Sequence, residues 1–92
     1  MTITAVRARV TGRVQGVAFR AWTERRARSL GLTGWVQNEP DGSVSGLFAV
    51  EAERVAEMIA ALHQGPSLAR VQAVTAEVAD PAEAPVGFRI NR

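Results

Sequence analysis

The sequence contains no cysteine, no lysine and no tyrosine, and its one histidine is His63. Without cysteine there is no disulfide, no thiol nucleophile and no thiolate metal site. A single histidine excludes a multi-histidine metal centre. The absence of lysine excludes Schiff-base chemistry. The same absences explain an isoelectric point near 11.0: all 11 basic residues are arginine, set against 9 acids for a net charge of +2. Almost nothing titrates between neutral pH and the arginine range, so a small excess of positive charge carries the isoelectric point very high. A charge of +2 is weak ground for binding nucleic acid. No apolar run is long enough to span a bilayer. The segment Met1 to Val10 alternates polar and apolar residues instead of forming the apolar centre of a leader peptide. The expectation is a soluble, cytoplasmic protein with no membrane or nucleic-acid partner.

What is present suits one folded domain over residues 1–92. The chain is 47% apolar and 22% charged, outside the disordered and fibrous classes. Val6, Ala8 and Val10 alternate with Arg7, Arg9 and Thr11, the period of a strand with one buried face. A loop over 13–17 follows. Phe19, Thr23, Ala27 and Leu30 then form one stripe of a helix over 19–30, with Trp22 beside it, a Glu24–Arg28 pair on the outside, and Gly31 as its C-terminal cap. Residues 33–38 and 43–50 read as two strands, and Asp41-Gly42 between them signals a hairpin.

Val55, Met58, Ile59 and Leu62 mark a second helix over 52–64, with acids near its start and Gly65-Pro66 as its stop. A strand over 69–78 shifts its alternation near Val74, as a bulge would make it do. Gly87 to Ile90 adds a last short strand. The order βαββαβ plus this strand predicts an α+β, ferredoxin-like split βαβ sandwich, with two helices on one face of an antiparallel sheet.

The chemistry concentrates in Gly12-Arg13-Val14-Gln15-Gly16-Val17-Ala18-Phe19-Arg20. A strand runs through a glycine-containing loop into a helix with an arginine in its first turn. Convergent loop amides, a helix N-terminus and a guanidinium fork suit a phosphate-sized anion. Gly16 lets successive amides turn inward. The same residues also fit a plain turn glycine and a solvated surface arginine.

Gly12 to Arg20 resembles, at every fixed position, the G-x-V-Q-G-V-x-F-R signature of the acylphosphatase family, with Ala18 at the variable place. A second family pattern, G-x-V-x-N-x-x-D-G-x-V, is met by Gly34, Val36, Asn38, Asp41, Gly42 and Val44. A weaker third appears as Gly65, Pro66, Ala69, Val71 and Val74, and Gly87-Phe88 is also similar to the family's end. The resemblance implies hydrolysis of an acyl phosphate to a carboxylate and inorganic phosphate. It implies that Arg20 and the amides of Arg13, Val14, Gln15, Gly16 and Val17 bind the phosphoryl group, and that Asn38 orients the attacking water. It implies no metal and no cofactor, and a monomer whose partner is a small-molecule acyl phosphate.

Two other functions fit the same features. One is a module that binds phosphate or carbamoyl-phosphate-like anions without turnover. The other is an RNA-binding ferredoxin-like domain, which Arg7 and Arg9 allow but which lacks its aromatic pattern. Asn38 also suits a strand entering a turn, and the Arg13 side chain is equally able to point to solvent. Alternation sends Glu39 to the face opposite Asn38. His63 is expected to be exposed at a helix end, Trp22 and Trp35 to pack or to rim a cleft, and Arg25, Arg26 and Arg28 to form a partly solvated helix face.

Overall fold

A computed structural model describes residues 2–92. Its elements are β1 (Ile3–Arg13), α1 (Phe19–Ser29), β2 (Thr33–Asn38), β3 (Val44–Glu51), α2 (Ala52–Leu62), β4 (Arg70–Ala79) and β5 (Phe88–Ile90), with a single 3-10 turn at Pro81–Glu83. The strands form one sheet in the order β4-β1-β3-β2-β5. Alternation decides which residues go to which face. Ala8, Val10, Val36, Val44 and Phe48 point to the side that both helices cover, where Phe19 and Ala27 of α1 and Val55, Met58 and Leu62 of α2 complete the core. The opposite face carries Ala5, Leu47 and Ala49 under Trp35 and Ala84, the latter in the segment that follows β4.

Both helices start where the sequence indicates, and they end slightly early, α1 at Ser29 instead of residue 30 and α2 at Leu62 instead of residue 64. Gly31, at φ 70°, donates to the Arg28 carbonyl, and Leu32 donates to the Ala27 carbonyl, so a glycine-closed pair of bonds ends α1. Glu24 and Arg28 pair across one turn at 3.2 Å. Within β2–β3, the Glu39 carbonyl accepts from Gly42 and the Glu39 amide donates to the Ser43 carbonyl, which closes the hairpin at Asp41-Gly42.

One expectation is corrected and a second is located. The sheet is mixed: the four long strands pair antiparallel, but β5 runs parallel to β2, with Gly34, Val36 opposite Phe88, Ile90. After β4 the chain turns back and crosses the open face to the far edge of the sheet, so it arrives running in the direction of β2. The bulge expected near Val74 is present, at Gln72: Thr11 pairs with Ala73 and Gly12 with Val71, leaving Gln72 without an opposite residue. That extra residue puts Val71 and Val74, three apart, on the same face. Gly12 is required there. It sits at φ 118°, and a Cβ would fall 2.2 Å from the Arg70 carbonyl oxygen.

Candidate active site

The topology brings two connections to one end of the sheet. β1 and β2 run in the same direction, both antiparallel to β3 between them. The loop that leaves β1 for α1 therefore lies beside the end of β2. The loop is built to leave its amides free. Gly16 takes φ 74° and Ala18 takes φ 62°, ψ 26°, both left-handed, so the chain turns sharply before α1 begins. A Cβ on Gly16 would meet nothing within 4 Å, so that position needs glycine for its backbone conformation and not for space.

Ala18 caps α1 without a side-chain hydrogen bond, and the first turn of α1 holds no acid. Its carbonyl accepts from Trp22, the first bond of the helix. Among the described residues, no protein oxygen accepts from the amides of 15–21. Unpaired amides at a helix N-terminus, with no carboxylate to compensate them, form an electropositive concavity suited to an oxyanion.

A cleft of about 190 Å³ opens on these amides, lined by Val14, Gly16, Ala18, Phe19, Arg20, Ala21, Asn38, Ile90 and Arg92. Arg20 and Asn38, 18 residues apart in sequence, thus share one wall. Asn38 reaches it because alternation carries the helix-facing row of β2 from Gly34 through buried Val36 to Asn38. The same alternation turns Glu39 away. Its carboxylate accepts from Ser45 Oγ and from Gln37 Nε2 (2.8 Å) on the open face of the sheet, as the sequence indicated. These bonds, Ser45 first, hold the Glu39 carboxyl below its ordinary value. No aspartate or glutamate lines this cleft. A second opening of about 310 Å³ adjoins it and shares Arg20, Asn38 and Arg92.

The other residues of the loop divide by role. Val14 and Val17 bury their side chains in the core and fix the loop from below. Arg13 is exposed at the end of β1, paired opposite Arg70, and does not line the cleft. The Gln15 side chain turns away from the anion position: its Nε2 donates to the Glu39 carbonyl at 2.8 Å and to the Ser43 carbonyl at 2.9 Å. It ties the loop that carries the amides to the hairpin that carries Asn38. Sequence reading missed that tie, the left-handed Ala18, and the presence of Ile90 and Arg92 in the cleft. Only the last had an available signal, since β5 continues into Arg92 with the parity of Phe88 and Ile90.

Of the remaining residues, Trp22 is half-buried with its ring tilted against Phe19 at 5.5 Å. Trp35 packs on the open face, and His63 is exposed at the end of α2. Arg25, Arg26 and Arg28 are exposed on α1.

Fold and cleft together define a small ferredoxin-like domain with an anion-receptive loop between its first strand and first helix. Comparison with known proteins makes the class specific. The acylphosphatase family model matches residues 6–90, and the chain belongs to that family. It is 52% identical over 84 residues to an acylphosphatase of Sinorhizobium medicae, spanning 91% of this chain and 89% of that one. In structure it is similar to an acylphosphatase from Coxiella burnetii (TM-score 0.92, 34% identity, 97% and 93% of the two chains). It is equally similar to one from Bacillus subtilis (TM-score 0.92, 28% identity, 99% and 100%).

Proposed function

We propose that this protein is an acylphosphatase that hydrolyses the carboxyl–phosphate bond of small acyl phosphates, with Arg20 and the loop amides of residues 13–17 on the phosphoryl group and Asn38 on the water. The observation that carries the reading is the convergence of free amides, the Arg20 guanidinium and the Asn38 carboxamide on a cleft with no aspartate or glutamate in its lining. These groups match what the reaction needs. The leaving group is a carboxylate whose acid has a pKa of roughly 4, so it departs without a proton donor. A loose phosphoryl transition state requires its equatorial oxygens to be held and the water placed in line. Amides and the Arg20 fork do the first. Asn38, which both accepts and donates but takes no proton, does the second. The proton of the attacking water passes to a phosphoryl oxygen of the substrate. No step is routed through a metal or a cofactor.

Residues 1–92 are read as a single domain acting as a monomer in the cytoplasm on a small-molecule substrate, without nucleic acid. Among the described residues no helix is long and apolar enough to cross a membrane. Within the loop the amides of Arg13, Val14, Gln15, Gly16 and Val17 are taken as the donors, and those of Gln15, Gly16 and Val17 have no protein acceptor among the described residues.

The test is Arg20. Arg20→Ala is expected to lower kcat/KM for benzoyl phosphate by at least about 100-fold, the cost of losing one strong oxyanion donor, and to abolish competition by inorganic phosphate. Arg20→Lys should also be poor, because a point charge does not replace a planar fork. An Arg20→Ala variant that still binds phosphate with wild-type affinity would contradict the assignment.

A further inference from the structure

We infer that Glu39 is a positioning residue for Asn38: its carboxylate, on the open face of the sheet, fixes the backbone from which Asn38 reaches the cleft on the other face. Asn38 needs such support. It is exposed at the end of β2, and among the described residues its side chain hydrogen-bonds to no protein group. The residues on either side of it are bonded to each other instead. Gln37 Nε2 donates to Glu39 Oε2 at 2.8 Å, on the face opposite Asn38. That pair is tied at both ends. The hydroxyl of Ser45 on β3, a residue only 5% exposed, donates to the same Glu39 Oε2. Gln37 Oε1 accepts from Asn91 Nδ2 at 3.2 Å, just past the end of β5. The donors run from Asn91 through Gln37 on one side and from Ser45 on the other, so the Glu39 carboxylate is the acceptor on which both end. The backbone of Glu39 is held as well: its amide donates to the Ser43 carbonyl at 2.8 Å, and its carbonyl accepts from Gly42 and from Gln15 Nε2.

A carboxamide that sets a water in line tolerates little displacement, so the anchor bears on the chemical step and not on the grip of the phosphoryl group. The rival role for Glu39 is electrostatic. It borders the opening shared by Arg20 and Asn38, where a carboxylate repels a phosphoryl dianion. The two roles use different properties of one side chain. Anchoring uses Oε2 as an acceptor, whereas repulsion uses the charge. Among the described residues Glu39 Oε1 bonds to no protein group. A glutamine with its oxygen at the Oε2 position therefore keeps both bonds, places its amide nitrogen where the free oxygen was, and loses the charge. An alanine loses both bonds and the charge, and leaves the buried Ser45 hydroxyl without its acceptor. Removing that hydroxyl as well separates the stability of the fold from the position of Asn38.

The role rests on the acyl phosphate reading, and the experiment separates the two. The full chain, Glu39→Gln, Glu39→Ala, Ser45→Ala and the Glu39→Ala, Ser45→Ala double variant are assayed with benzoyl phosphate, titrated with inorganic phosphate and melted. Glu39→Ala is expected to lower kcat at least about tenfold while phosphate affinity stays within about threefold, as displacement of a positioned group does. Glu39→Gln should restore kcat to within about threefold of wild type. Ser45→Ala should lower kcat in the wild type and add nothing to Glu39→Ala, because both cut one anchor. The double variant should regain thermal midpoint over Glu39→Ala without regaining kcat. An unchanged kcat in Glu39→Ala, equal losses in the Gln and Ala variants, or a kcat that recovers together with the midpoint would overturn the role. So would phosphate binding that tightens alike in the Gln and Ala variants with kcat unmoved, which would make Glu39 a source of repulsion only. A wild type that binds phosphate but leaves benzoyl phosphate intact would sink the enzymatic reading instead. The ¹⁵N NMR signals of Asn38 would then decide the anchor: broadening in Glu39→Ala but not in Glu39→Gln supports it, and unchanged signals in both overturn it.

Discussion

Replacing Gln15 by methionine should separate catalysis from phosphate binding. Gln15 Nε2 makes two hydrogen bonds, to the Glu39 and Ser43 carbonyls at 2.8 and 2.9 Å. Neutral bonds of this kind contribute about 0.5–1.5 kcal/mol each, so the pair sets an upper limit of about 3 kcal/mol. Both carbonyls keep a backbone donor after the change, Gly42 for Glu39 and Glu39 for Ser43. Neither is orphaned, and the expected loss is about 1–2 kcal/mol. For a chain of this size that lowers the thermal midpoint by about 4–8 °C per kcal/mol.

The effect on chemistry should be larger than the effect on binding. The amides and Arg20 sit together on the loop and first turn of α1, and they stay together when the tie is cut. Asn38 sits on the other side of the tie. A displacement of about 1 Å in a positioned group costs up to about 100-fold in rate, so kcat for benzoyl phosphate should drop roughly 10- to 100-fold while phosphate affinity changes less than about threefold. The assays are steady-state kinetics, phosphate titration and thermal melting on the same protein. If phosphate affinity fell as far as kcat, Gln15 would be part of the anion site and the brace would be wrong. An unchanged midpoint would show that the two bonds carry nothing.

Two further expectations concern the scaffold. Thr23 is fully buried on α1, and among the described residues its Oγ1 has no hydrogen-bond partner. Thr23→Val should therefore stabilise the protein by about 1 kcal/mol in urea denaturation, since a lone buried hydroxyl costs about 1–3 kcal/mol; a loss of stability would show that the hydroxyl is satisfied. Glu39 and Asp41 both titrate below their ordinary values in the folded protein, Glu39 chiefly through Ser45 and Asp41 chiefly through the Ser43 hydroxyl. A carboxyl depressed on folding adds stability above its unfolded value of 4.5 or 3.8 and loses it as pH falls through the lower folded value. Urea midpoints should hold from neutrality down to about pH 5 and then decline, with a shallower decline in Glu39→Gln; an identical acid limb in that variant would refute the contribution of Glu39.

The sequence carried the parts of the fold that depend on local pattern. The period-two runs of β1 and β2, the 3.6-residue stripe of α2 and the Asp41-Gly42 turn each declare themselves within a few residues. What failed depended on partners far away. Val71 and Val74 announce a bulge by their spacing, but only the pairing with Gly12 puts it at Gln72. Three residues of β5 hold no information about direction, which comes from the route the chain takes across the open face.

The site divides in the same way. Gly16, Arg20 and Asn38 stand in motifs, and the helix start fixes what the first two can do. The side chain of Gln15 lies within the motif, yet its use is set by a hairpin 24 residues away. Arg92 enters the cleft only because β5 is parallel to β2.

The central claim is that a metal-free cleft hydrolyses acyl phosphates with Asn38 holding the water. Hydrolysis of benzoyl phosphate, with and without EDTA, by the wild type and by Asn38→Ala tests it most directly. EDTA-insensitive turnover that collapses in Asn38→Ala, with phosphate competition retained, is the expected result. A folded wild type that binds inorganic phosphate but leaves benzoyl phosphate intact would contradict the claim and make the protein an anion-binding module.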